Sequence, residues 1–201
     1  MRLVKAFVPP EVLAWRKRIG ADRRDEMWDG VLHMAPAPNR AHQDLEGELE
    51  AYLRYEWKPR SGGKVYHQIN VATPGRWPED FRVPDLVLLL PDRFGIDRNE
   101  YFEGGPNVVV EIRSPGDETY EKLPFYAGLD VREVWIVERD VREVEVRRLL
   151  DGVYASVVPS ADGWISSVET ALELRARDGV LELRRSGEAG PAVRIGERSR
   201  P

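Results

Sequence analysis

The apolar positions of this chain follow two periods, helical in some stretches and alternating in others, and the switches between them mark its elements. Val12, Leu13, Trp15 and Ile19 fall at helical spacing and predict a short amphipathic helix over residues 10–20. Asp29-Gly30 is a hairpin-type turn signal between a strand ending at Trp28 and its return, Val31-Leu32-His33-Met34. Leu45, Leu49, Tyr52, Leu53 and Trp57 recur at three- and four-residue steps. They predict a longer helix over residues 41–57, with Glu46, Glu48 and Glu50 mostly off the apolar stripe. Residues 64–72 alternate, with Val65, His67, Ile69 and Val71 opposed to Tyr66, Gln68 and Asn70, as in one half-buried strand.

Two more continuous apolar runs, at 83–90 and 107–113, read as buried strands. Gly116-Asp117-Glu118-Thr119 reads as the entry of a helix over 117–128. A start near Thr119 or Tyr120 places Pro124 in or just after the first turn, where a missing N–H costs little, and an earlier start implies a kink there. Strands follow at 133–138, 142–150, 153–158, 169–176 and 180–185, and the Gly-, Arg- and Ser-rich end from 186 reads as flexible. This order predicts an α/β fold, a mixed central sheet flanked by helices, with extra C-terminal strands. The expected division is a main domain over 1–160 and a β extension over 161–201. Trp15, Trp57 and Trp135 fall on apolar faces, which reads as core.

Two acids interrupt the apolar strands. Asp85 stands at the mouth of the Leu86–Leu90 run, and Glu111 lies inside Val108-Val109-Val110-Glu111-Ile112. An unpaired carboxylate there costs several kcal/mol, on the order expected for a poorly solvated ion, so each needs a cation. On neighbouring strands the two can converge on one divalent ion, and hard oxygen donors suit Mg²⁺ or Mn²⁺. Residues two apart on a strand share a face, so Arg113 projects with Glu111. Lys122, on the following helix, is a second nearby cation, and Tyr126 lies on the same helical face. The bland alternatives are a strand-end cap for Asp85, a buried salt bridge for Glu111, a solvated helix residue for Lys122 and a structural ion pair for Arg113.

Composition narrows the chemistry further. There is no cysteine, which excludes disulfides, zinc-thiolate sites and a thiol nucleophile. A net charge of −5 is no advertisement for nucleic acid, although Arg16-Lys17-Arg18 and Arg23-Arg24 cluster locally. No signal-peptide pattern or membrane-span-length apolar stretch is present, so a cytoplasmic location is expected, without a membrane partner. His33, His42 and His67 lack a second histidine at ligand spacing and read as ordinary polar residues. No P-loop, dinucleotide fingerprint or serine-hydrolase elbow is found.

Pro84-Asp85 followed by Glu111-Ile112-Arg113 after an apolar strand resembles the PD-(D/E)xK nuclease signature, with Arg113 at the usual lysine position. The likeness is closer to the Uma-type restriction endonuclease family. It is carried by Glu26, Asp29-Gly30, Met34-Ala35-Pro36, His42, Val83-Pro84-Asp85-Leu86, Val110-Glu111-Ile112-Arg113-Ser114-Pro115, Asp117, Lys122, Tyr126 and Val134-Trp135-Ile136-Val137. This resemblance, spanning about residues 20–155, implies a restriction-endonuclease-like core and metal-dependent cleavage of DNA. It makes Asp85 and Glu111 the metal ligands, Lys122 the catalytic lysine displaced from strand to helix, and Glu26 and Gln68 further pocket residues. Arg113 stays charged and would clamp phosphate instead of acting as a base. A homodimer would suit cutting both strands of a duplex. The competing function is a nucleic-acid-binding or assembly module of the same fold without turnover, and fold likeness also admits hydrolysis of another phosphate ester.

Overall fold

The structure, a computed structural model, describes residues 5–6, 8–20, 22–34, 37–188 and 190–196. The chain begins with β1 (Lys5–Ala6), α1 (Pro10–Ile19) and the hairpin β2 (Asp25–Trp28) and β3 (Val31–Met34). Next comes α2 (Arg40–Tyr52), which continues through a π-helical turn (Leu53–Trp57) into α3 (Lys58–Ser61). Strands β4 (Lys64–His67), β5 (Asn70–Ala72), β6 (Phe81–Arg82), β7 (Leu86–Leu89), β8 (Tyr101–Glu103) and β9 (Val108–Arg113) precede α4 (Leu123–Gly128). The remaining strands are β10 (Glu133–Glu138), β11 (Val144–Leu150), β12 (Val153–Ser156), β13 (Ile165–Ser167), β14 (Leu172–Arg177), β15 (Val180–Arg185) and β16 (Val193–Ile195).

A six-stranded central sheet runs β12-β11-β10-β9-β7-β4, a second runs β1-β3-β2-β6-β5-β8, and β13 to β16 form a third. In the central sheet β9 and β10 are parallel and the other neighbours antiparallel, so the expected mixed sheet is present. Alternation along β9 sorts its side chains between two layers. Val108, Val110 and Ile112 join Trp135, Val137 and the helix residues Leu45, Leu49, Leu53 and Trp57 in the largest apolar cluster. Leu172, Leu174, Leu181 and Leu183 of the third sheet pack into that same cluster. Val109 faces the other way and clusters with Val134, Ile136, Val131 and Tyr126 of α4. Glu111 shares that second face, which sends its carboxylate toward α4.

The long helix is capped by Asn39, whose side chain accepts the His42 N–H at 3.0 Å. Its π-helical turn admits one extra residue per turn, and Leu53 and Trp57 still reach the core.

Several expectations change. The single strand over 64–72 is two strands in different sheets, because Gln68 adopts a left-handed conformation (φ 47°) and turns the chain between them. The helix over 117–128 opens instead as a 3₁₀ turn (Tyr120–Lys122) before α4, and Pro124 sits in the first turn of α4. Trp15 is not core: α1 buries no side chain, and Trp15 is 48% exposed. The end read as flexible contains β16, antiparallel to β15, with Ile195 buried. Ala35, Pro36, Ala189 and residues 197–201 lie outside the described residues. Among those described, no helix is long and apolar enough to cross a membrane.

The shared cluster makes a thermodynamic prediction. Leu174→Ala should lower the unfolding free energy by about 2–5 kcal/mol and leave one urea transition, since the third sheet shares the main core. A separate early transition in that variant would instead mark β13 to β16 as an independent unit.

Candidate active site

The antiparallel register of β7 with β9 pairs Leu86 with Val110, so Asp85, one residue before β7, falls opposite Glu111. Asp85 Oδ2 accepts the Ile112 backbone N–H at 2.6 Å, and its Oδ1 lies 3.0 Å from His42 Nε2. Glu111 is 4% exposed and receives the Tyr126 hydroxyl at 2.6 Å. Lys122 Nζ lies 3.2 and 3.1 Å from the two Glu111 oxygens. The same ammonium reaches Glu26 Oε1 at 2.8 Å. Lys122 is therefore held between two carboxylates that come from different sheets.

Glu26 is itself tightly constrained. It accepts the Val83 N–H at 2.9 Å and the Trp28 indole N–H at 2.7 Å, besides the lysine. Its strand is set by a turn in which Asp29 and Gly30 both have positive φ (50° and 81°), the conformation a two-residue hairpin requires. The hairpin is fastened to α4 by a stack of planar groups. Phe125 carries the Arg82 guanidinium at 3.9 Å, Arg82 lies 4.3 Å from the Trp28 ring, and Trp28 stacks on His33 at 4.0 Å and 9°. His33 Nδ1 then lies 2.7 Å from Glu118 in the loop after β9.

A second group of donors adjoins the first. His42, Glu46 and Asp85 present ligand atoms all within 4.8 Å of one another. Gln68 donates to Glu46 at 3.2 Å, His67 Nδ1 lies 2.9 Å from Glu46, and Gln68 in turn accepts from Arg24 at 3.3 Å. The left-handed backbone of Gln68 is what swings its amide toward α2.

Glu26, His42, Gln68, Asp85, Glu111 and Lys122 line one cavity of about 400 Å³, as do Arg24 and Arg139. Tyr126 lies fully buried behind it, bonded to Glu111. Arg113 does not line it. Although it shares a β9 face with Glu111, Arg113 ion-pairs with Glu138 on the neighbouring parallel strand and stands 5.0 Å over the Tyr120 ring. His42 and Glu46 were read from sequence as an ordinary polar residue and an off-stripe acid, yet both are buried. A signal was present: they are one turn apart, flanking the buried stripe that begins at Leu45.

Lys122 thus meets Glu26 and Glu111 directly, Asp85 lies opposite Glu111, and Glu46 stands with His42 and Asp85. Burial, with the Asp85 and Glu26 charges, pushes the Glu111 carboxyl up to about 8 despite the opposing lysine. Burial alone would lower Lys122, but Glu111 and Glu26 outweigh it and hold the amine above its ordinary value, so it stays an ammonium. Burial and Asp85 raise Glu46. His42 is raised against its burial by the Asp85 hydrogen bond. Hard carboxylate donors fit a divalent ion, and the donor atoms that converge are those of His42, Glu46 and Asp85, while the Glu111 oxygens meet Lys122 and Tyr126.

A family model described as "Uma2: Putative restriction endonuclease" matches residues 9–181. The chain belongs to the Uma2 family. The mixed α/β architecture is also shared with solved structures. One is the crystal structure of a "putative nuclease belonging to DUF820" from Anabaena variabilis, 17% identical, with a TM-score of 0.55 over 69% of this chain and 82% of that one. No curated protein matches the chain. The resemblance read from Asp85, Glu111 and their flanking residues therefore identified the family.

The raised carboxyl gives this Uma2 chain a pH signature. Without metal, folded Glu111 holds a proton that the unfolded chain releases near its ordinary value of 4.5. Its contribution to stability is complete below 4.5 and is lost as pH rises to about 8. Urea midpoints measured in EDTA should fall across that window, and Glu111→Gln should fall less. Parallel curves for the two proteins would contradict the assignment.

Proposed function

We propose that the protein is a metal-dependent endonuclease that hydrolyses DNA phosphodiester bonds. The observation that carries this reading is the buried excess of carboxylates around Lys122, in a chain of the Uma2 family. Asp85, just before β7, and Glu111, opposite it on β9, are its metal ligands, and His42 and Glu46 present donors that converge with Asp85. Mg²⁺ and Mn²⁺ both suit the carboxylates, and the imidazole favours Mn²⁺. When bound, the ion supplies Lewis-acid stabilisation of the charge developing on the phosphate.

The residues of the chain do the rest. Lys122, kept protonated by Glu26 and Glu111, offers a fixed ammonium to the developing negative charge and is no general base. Glu26 accepts from Lys122, Val83 and Trp28 together, so its part is to position the lysine. Tyr126 orients Glu111 through its hydroxyl. Arginine at the usual lysine position does not weaken the reading, because Lys122 reaches Glu111 from the 3₁₀ turn before α4 while Arg113 serves Glu138.

Calorimetric titration with Mn²⁺ and cleavage of plasmid DNA test the proposal together. Wild type should bind Mn²⁺ at pH 7 with release of a proton from Glu111. Glu111→Ala should lose both Mn²⁺ binding and cleavage while keeping a cooperative melt. Lys122→Met should keep Mn²⁺ binding and lose cleavage by about 100-fold or more. Cleavage retained in Glu111→Ala would overturn the assignment.

A further inference from the structure

Helix α1 is an anomaly of packing. It buries no side chain, and Val12, Trp15 and Ile19, which share one helical face, are 37%, 48% and 54% exposed. Its main side-chain anchor is Arg16, which pairs with Asp25 of β2 through two hydrogen bonds of 2.7 Å. Local charge is inverted there: residues 10–24 hold five basic and two acidic residues in a chain of net charge −5. Lys17, Arg18 and Arg23 are exposed and have no carboxylate partner among the described residues. The basic run ends at Arg24, which lines the active-site cavity.

We propose that α1 is a docking arm for a single-stranded stretch of nucleic acid, delivering it to the cavity. The inference rests on the proposed function and names the surface and strand state that the site uses. The phosphates of the strand pass Lys17, Arg18 and Arg23 and enter the cavity at Arg24. An unpaired base stacks on Trp15. A polyanion matches these basic residues, whereas a two-fold dimer through α1 would set one basic arm against the other. Stacking on an exposed indole requires a base free of its partner, which sets a single strand above a duplex. Among the described residues no aromatic at the cavity offers the same platform, since Trp28 is already stacked on His33 and approached by Arg82.

The test is fluorescence anisotropy of a labelled oligo-dT strand in EDTA, with a duplex of equal length for comparison. Trp15→Ala should weaken single-strand binding by roughly 5- to 150-fold, the usual worth of one stacked base. Combined Lys17→Ala, Arg18→Ala and Arg23→Ala should flatten the log–log salt slope by about 2, from three lost phosphate contacts. Both variants should melt as wild type does, because no core side chain is changed. Wild-type affinity and slope in both variants would overturn the arm, as would a wild-type dimer in sedimentation that Trp15→Ala splits while strand binding is unchanged. In either case, cleavage of the strand by wild type with Mn²⁺ leaves the proposed nuclease standing. A wild type that neither binds nor cleaves the strand yet cleaves plasmid DNA overturns the arm alone, and one that cleaves neither overturns both.

Discussion

One ammonium group organises this molecule. Lys122 lies between Glu26 and Glu111, and those two carboxylates belong to different sheets. Burying any one of the three charges alone would be costly. Buried together they constrain each other, because removing one partner strands the others in a poorly solvated interior. The second sheet and the central sheet are thus joined at the site by electrostatics, and by the layered rings of Phe125, Arg82, Trp28 and His33. Lys122 pairs with Glu26 and Glu111, whereas Asp85 and Glu46 face His42 instead.

Glu133 provides the internal comparison. It too is a fully buried acid in an apolar strand, the parallel neighbour of β9. Its oxygens meet donors only: Arg148 at 3.2 Å, the Val168 N–H at 3.0 Å and the Ser167 hydroxyl. These partners tie the central sheet to the third sheet. Burial of an acid in a strand is therefore not enough to mark chemistry. Glu111 differs because other carboxylates face it.

Sequence periodicity went far with the elements and less far with their partners. The face of Glu111 followed from alternation along β9, and Asp85, Lys122, Tyr126, Glu26 and Gln68 do meet around one cavity. Arg113 shares that face by the same alternation, but which residue lies beside a strand end is set by the neighbouring strand, and Glu138 lies there. Gln68 breaks a run whose alternation looked unbroken, because nothing in a local pattern discloses a left-handed glutamine held by Asp85 O and Glu46. His42 and Glu46 escaped for a related reason. On a helix the boundary of the apolar stripe is ambiguous, and polar residues at its margin become buried only when another element covers them.

The hairpin strand β2 is one residue thick, and adjacent residues on it serve opposite sides. Asp25 holds Arg16 of α1, while Glu26 holds Lys122. A shift of one position in the pairing of β2 with β3 would exchange those two faces. The lysine would then meet a side chain shorter by one methylene, and the arm would lose its clamp. The Asp29-Gly30 turn, far from any reacting atom, is accordingly the ratchet that indexes both. An insertion or deletion of a single residue there would undo the charge geometry of the site from a distance.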